Sequence, residues 1–205
     1  MGREYALASG ESPGVARAIF EHYLPRYPGD QLPESVEGAV VSVADKVDTI
    51  CGLFAAGKTP SGSQDPFGLR RQANGAIAIL MGRGWHVSIT ALLTRSLNLL
   101  SAVRELPSLE NLKGAVVQFF ISRLERALED EGISYDLADA VVAVRWDDPA
   151  DAKARVTALS SLRATPDFER LVTSQKRVAN ILQGVPEPPE VTELLLEEEA
   201  EKSLY

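Results

Sequence analysis

The chain has 205 residues, 45% hydrophobic and 24% charged, which is the composition of a folded globular protein and excludes a largely disordered one. No run reaches the ~20 apolar residues of a membrane span, and the opening MGREYALASGES carries no apolar leader core. Cys51 stands alone and can form no internal disulfide, so a reducing, cytoplasmic setting is expected. Two histidines, His22 and His86, leave little material for a zinc site or a histidine-based triad. The formal charge of −8 is unevenly spread: residues 187–205 hold seven glutamates against Lys202, leaving 22 acidic and 20 basic residues in the first 186. Between 58 and 104, six basic residues face only Asp65. An overall pI of 4.9 argues against a strongly basic nucleic-acid module, but a local phosphate-binding face remains open.

Hydrophobic spacing predicts helices throughout. Val15, Ile19, Phe20 and Tyr23 share one side of a helix over 15–24, opened by Ser12-Pro13 and stopped by Pro25 and Pro28-Gly29. Ser35–Ala56 repeats apolar residues at three-four spacing, with Gly57 at the position after the cap. Lys58–Gln64 (KTPSGSQ) reads as a loop, and Asp65-Pro66 as cap and first residue of a helix reaching Gly82 or Gly84. Further helices are expected over Ile89–Leu106, Leu109–Glu131, Tyr135–Val144, Pro149–Ala164 and Pro166–Leu182, with Asp148-Pro149 and Thr165-Pro166 repeating the cap-then-proline start. No sustained two-residue alternation is present, so the expected class is all-α without significant sheet. The best division lies near 106, giving segments 1–106, 107–184 and an acidic tail 185–205 introduced by GVPEPP; the Glu-rich end reads as a solvated helix or a frayed remnant.

Three groups of residues invite a chemical reading. His22 and Asp45, the latter within Ala44-Asp45-Lys46, resemble the later half of an HD-type phosphohydrolase, in which such residues join an upstream His and His-Asp pair around metals. That upstream pair is absent, so the expectation is a degenerate site with no metal, His22 hydrogen-bonded and Asp45 paired to Lys46 or an arginine. Lys58, Arg70 and Arg71 flank a Gly/Ser loop leading into a helix N-terminus. One reading has backbone N–H groups and the arginines meeting phosphate; the other has Asp65 capping the helix and Arg71 neutralising Asp45 or Asp48. Lys176 and Arg177, on a later helix with Asn180 one turn along, could touch nucleic acid or form a solvated face. Trp85, Trp146, Phe119, Phe120 and Tyr135 are expected to pack, Cys51 to be inert, and His86 has no obvious partner. No catalytic residues can be assembled.

The run VADKVDTICGLFAAGKTPSGSQDPFGLRR, Val43 to Arg71, resembles the β subunit of the bacterial two-subunit glycyl-tRNA synthetase. So do the opening 30 residues, the segment Gly132-Ile133-Ser134-Tyr135-Asp136, Arg155–Leu159, Lys176–Leu182 and the terminal Ala200–Tyr205. The Gly-Ser-x-Asp-Pro-Phe-x-Leu-Arg-Arg run, Gly62 to Arg71, is the most specific of these. The resemblance implies a degenerate HD-like helical domain over 1–106, a helical body over 107–184 and the start of a C-terminal anticodon-binding region of the DALR type. It implies work with tRNA(Gly) and with an α subunit that uses ATP and Mg, with no cofactor in this chain and neither a membrane nor DNA as partner. A whole β subunit of that family is several times longer, and Met1 resembles an internal methionine. The expected role is therefore tRNA binding and subunit assembly, without catalysis by this chain alone. The alternative is an HD-type metal-dependent nucleotide phosphohydrolase.

Overall fold

In a computed structural model of the chain, residues 1–106, 108–183 and 198–204 are described. They fall into two compact units, Met1–Ser160 and Ser161–Tyr205. In the first lie α1 (Gly2–Ala8), α2 (Pro13–Glu21), α3 (Val36–Ala55), α4 (Leu69–Arg83), α5 (Ile89–Val103), α6 (Leu109–Asp130), α7 (Tyr135–Val144) and most of α8 (Pro149–Arg163). The second contains α9 (Asp167–Ile181) and the short α10 (Glu199–Leu204). Among the described residues there is no strand, only an isolated bridge between Ser61 and Gln64, as an all-α chain requires. No helix among them is long and apolar enough to cross a membrane.

The hub of the first unit is α3, which packs against α2, α4, α5 and α6. Ala39, Val43, Val47, Ile50 and Phe54 recur along one side of it and are buried. Its ends are set locally. The Ser35 hydroxyl accepts from the Gly38 N–H at 3.0 Å. At the other end Gly57 takes φ +70°, a left-handed conformation that a glycine holds without strain. The Lys58 N–H then turns back to the Leu53 carbonyl at 2.9 Å. On α6, Val116, Phe120, Leu124 and Leu128 form a buried stripe that joins the same cluster as Leu69, Ile77 and Leu80 of α4 and Leu93 and Leu97 of α5. The division expected near residue 106 is thus a break between α5 and α6 inside one core, because apolar stripes on both sides of it bury each other. The expected linker 184–189 and most of the acidic tail lie outside the described residues.

Two polar knots fix α2 against α3. The buried Glu21 carboxylate accepts from the Ser35 N–H at 2.9 Å, from the Ser35 hydroxyl and from Arg17 Nε at 2.6 Å, while Arg17 also pairs with Glu34. A side chain on Gly38 would run into this carboxylate, which explains the glycine there. Lys46, only 3% exposed, donates to the carbonyls of His22 and Leu24, each at 3.1 Å, and to Ser42 Oγ at 2.8 Å. Burial pulls its ammonium down to about 8, against a smaller opposing pull from Asp45. Farther along, Asp147 supplies its carbonyl to Ile89 N–H (2.9 Å) and its carboxylate to Thr90 N–H (2.7 Å), pinning the start of α5 to the α7–α8 turn.

Candidate nucleic-acid interface

The loop between α3 and α4 is pinched shut by the reciprocal bonds Ser61 N–H to Gln64 carbonyl (3.1 Å) and Gln64 N–H to Ser61 carbonyl (2.8 Å). Asp65 follows it. Its two carboxylate oxygens accept from the Leu69 N–H at 2.8 Å and the Arg70 N–H at 2.9 Å. Pro66 is not the first helical residue, as the sequence suggested; Gly68, at φ +65°, precedes α4, which begins at Leu69. The chain makes a left-handed step at Gly68, and Asp65 reaches across it to cap the helix from four residues away. These two N–H groups of α4 are therefore satisfied internally. They do not form the open phosphate cradle that the Gly/Ser loop suggested, and the capping reading of Asp65 is the one realised.

The arginines differ from one another. Arg70 donates from Nη2 to the Gly62 carbonyl at 2.6 Å, which ties the loop to the helix. Arg71 is exposed and forms no ion pair with Asp45 or Asp48; Asp48 instead accepts from Ser96 Oγ at 3.0 Å. Arg71 also lines a cleft of about 390 Å³ together with Asn74, Gly75, Asp130 and Lys153; Asn74 Oδ1 is buried with no hydrogen-bond partner among the described residues. Lys58 is exposed at the far end of the loop. Across the packing of α6 on α4, the positive charge of Arg70 acts on Arg123, a contribution that sequence reading missed. The string Arg123-Leu-Glu-Arg126 looks like any charged helix surface, and only the packing of α6 on α4 brings it to this loop. Lys176 and Arg177 are exposed on α9, in the second unit.

His22 and Asp45 do come together, lining the same surface depressions between α2 and α3. Lys46 does not pair with Asp45, because its ammonium is committed to the carbonyls of His22 and Leu24. Among the described residues, no group of three or more His, Cys, Asp or Glu side chains is arranged to hold a metal ion. His86, for which the sequence offered no partner, meets the Asp148 carboxylate at 2.9 Å. Asp148 also caps α8 through the Asp151 N–H at 3.0 Å, as its cap-then-proline motif predicts. Thr165 does not repeat this: its hydroxyl donates to the Leu162 carbonyl and α9 starts at Asp167. Cys51 is buried and its thiol is pushed up to about 11 by desolvation, consistent with an unreactive side chain.

The described residues thus define an all-helical protein in which Arg70 and Arg71 stand in the first turn of α4, after the pinched loop. The chain belongs to the glycyl-tRNA synthetase beta subunit family, whose model matches residues 1–143. It is similar to the glycine–tRNA ligase beta subunit of Syntrophotalea carbinolica, 47% identical over 184 residues, covering 90% of this chain and 27% of that protein. The corresponding proteins of Geotalea uraniireducens and Geobacter sulfurreducens are each 45% identical across the whole of this chain, which spans 30% and 29% of their lengths. The chain therefore spans less than a third of the relatives it matches.

Proposed function

We propose that this chain is the tRNA-holding and subunit-organising part of a glycine–tRNA ligase β subunit, contributing to attachment of glycine to tRNA(Gly). The observation that carries this reading is the similarity along the whole chain to proteins named glycine–tRNA ligase beta subunit. Adenylate chemistry, with ATP and Mg, belongs on this reading to a separate α subunit, and this chain needs no cofactor. Residues beyond 184 lead toward an anticodon-binding region, an HD-like origin accounts for His22 beside Asp45, and the setting is the cytoplasm. Lys58, Arg70 and Arg71 in the first unit, and Lys176 and Arg177 in the second, contact backbone phosphates, which position RNA without reading its sequence. The phosphohydrolase alternative is not favoured.

The test is charge reversal. The double variant Arg70→Glu, Arg71→Glu is expected to bind a tRNA(Gly) transcript more weakly, with the salt slope of log K shallower by about 1 for each phosphate that the variant no longer neutralises. Circular dichroism checks that the helices remain. Affinity equal to the unaltered chain, with the fold intact, removes these two residues from the interface.

A further inference from the structure

Arg71 borders a second cleft, of about 420 Å³, within the size range of small-ligand sites. His22 and Tyr23 line it from the end of α2, Asp45 and Lys46 from α3, and Gln72 joins Arg71 from α4. Other charges on this unit are paired. Arg17 bonds Glu21 and Glu34, and Arg126 bonds Glu129 and Asp130. Arg26, which also lines the cleft, is held by both oxygens of Asp30 at 2.8 and 3.1 Å. Arg71 and Asp45 are opposite in charge and both exposed, yet neither forms a hydrogen bond or ion pair among the described residues, and nor does the side chain of Gln72. The buried Lys46 bonds only uncharged oxygens, so its charge is left to act on Asp45 and on whatever enters the cleft. Tyr23 is 65% exposed; its ring lies 3.9 Å from the His22 ring, tilted by 38°, and the rest of its surface is open.

These groups call for a ligand with three features: an anion for Arg71, a hydroxyl donor for the Asp45 carboxylate and a flat ring for the open side of Tyr23. A ribonucleotide carries all three, in its phosphate, its 2′-hydroxyl and its base. A deoxynucleotide lacks the second. Lys46 offsets the repulsion that Asp45 would otherwise exert on a phosphate. We propose that the cleft seats one unpaired ribonucleotide of the RNA, with Arg71 on its phosphate, Tyr23 stacked on its base and Asp45 accepting a hydrogen bond from its 2′-hydroxyl. This rests on the RNA-binding reading above and deepens it. Phosphate contacts alone do not separate RNA from DNA, and Asp45 supplies the separation.

The experiment uses the full chain and measures affinity for a tRNA(Gly) transcript and for a DNA strand of the same sequence, with circular dichroism to check each variant's helices. Removing a surface acid ordinarily strengthens binding to RNA and DNA alike, because it removes repulsion from the phosphates. Asp45→Ala is expected to do the opposite for RNA: several-fold weaker binding, with DNA affinity equal or higher, so that the preference for RNA narrows. Asp45→Asn, which keeps an acceptor oxygen, is expected to retain part of that preference. Tyr23→Ala is expected to weaken RNA binding about fivefold or more, while Tyr23→Phe, which keeps the ring, binds as the unaltered chain does. Asp45→Ala strengthening RNA and DNA equally marks Asp45 as a bystander and overturns the site. RNA affinity unchanged in Asp45→Ala and Tyr23→Ala, while reversal of Arg70 and Arg71 weakens it, also overturns the site and leaves the broader reading standing. A ribonucleoside monophosphate that binds the unaltered chain but not Tyr23→Ala, with the preference for RNA untouched by Asp45→Ala, assigns the cleft to a free nucleotide and overturns the RNA assignment. An unaltered chain that binds no RNA at any salt overturns both.

Discussion

Replacing Phe120 with Ala is expected to destabilise the first unit by about 3–5 kcal/mol, a large part of the roughly 5–15 kcal/mol typical of a domain. Phe120 is 1% exposed and packs edge-on against Phe119 at 6.2 Å, and Phe119 in turn lies 5.3 Å from Phe54 of α3. Its ring therefore belongs to the aromatic contact that joins α6 to the hub helix. Truncation loses the transfer free energy of the ring and leaves a cavity that surrounding Leu and Val side chains cannot fill without leaving their rotamers. The effect should be felt on both sides of residue 106. Trp85 and Trp146, which both pack against the core, provide fluorescence reporters on either side of the break. Urea unfolding of single-tryptophan forms should give one common midpoint, shifted equally by the substitution. Separate midpoints, or a destabilisation below about 1 kcal/mol, would mean that residues 1–106 hold their own core.

Glu21→Gln is expected to cost about 1.5–3 kcal/mol near neutral pH, the range for hydrogen bonds to a charged group. Burial alone would push this carboxyl upward, yet the hydrogen bonds from Ser35 and Arg17 outweigh it and hold it below its ordinary value of 4.5. A carboxylate depressed in the folded state stabilises fully above the unfolded value, and that contribution is lost as pH falls through the folded one. The gap between the unaltered chain and the variant should accordingly be constant above about pH 5.5 and close as the pH falls below 4.5. Asp30, Asp147 and Asp151 are depressed as well and remain in the variant, so part of the acid sensitivity persists in both. Chemical denaturation across about pH 3–7 measures the gap; a gap that widens on acidification contradicts the role given to the Ser35 and Arg17 bonds.

Local signals were legible wherever the physics was local. Ser12 and Asp148 cap helices as their positions suggest, Ser35 caps the helix whose run it was read as opening, and α7 spans Tyr135–Val144 as the spacing predicts. The start of α4 was misplaced because the left-handed step at Gly68 separates the capping carboxylate from the helix it caps. The helix α1 was not anticipated: it has no side-chain cap and buries only Ala6, and its packing on α2 is what holds it. The site divides in the same way. Arg70 and Arg71 stand in a motif that any reader of the chain would mark. His86 finds Asp148 across 62 residues, a contact that only helix packing makes.

On the reading proposed above, the exterior of this helical chain grips RNA through phosphate contacts while bond-making belongs to another chain. Its most direct test is the affinity of the unaltered chain for a tRNA(Gly) transcript between about 50 and 200 mM salt. Binding is predicted at low salt, with a logarithm that falls linearly with log salt at a slope of about −2 or steeper. No binding at low salt, or an affinity indifferent to salt, contradicts it.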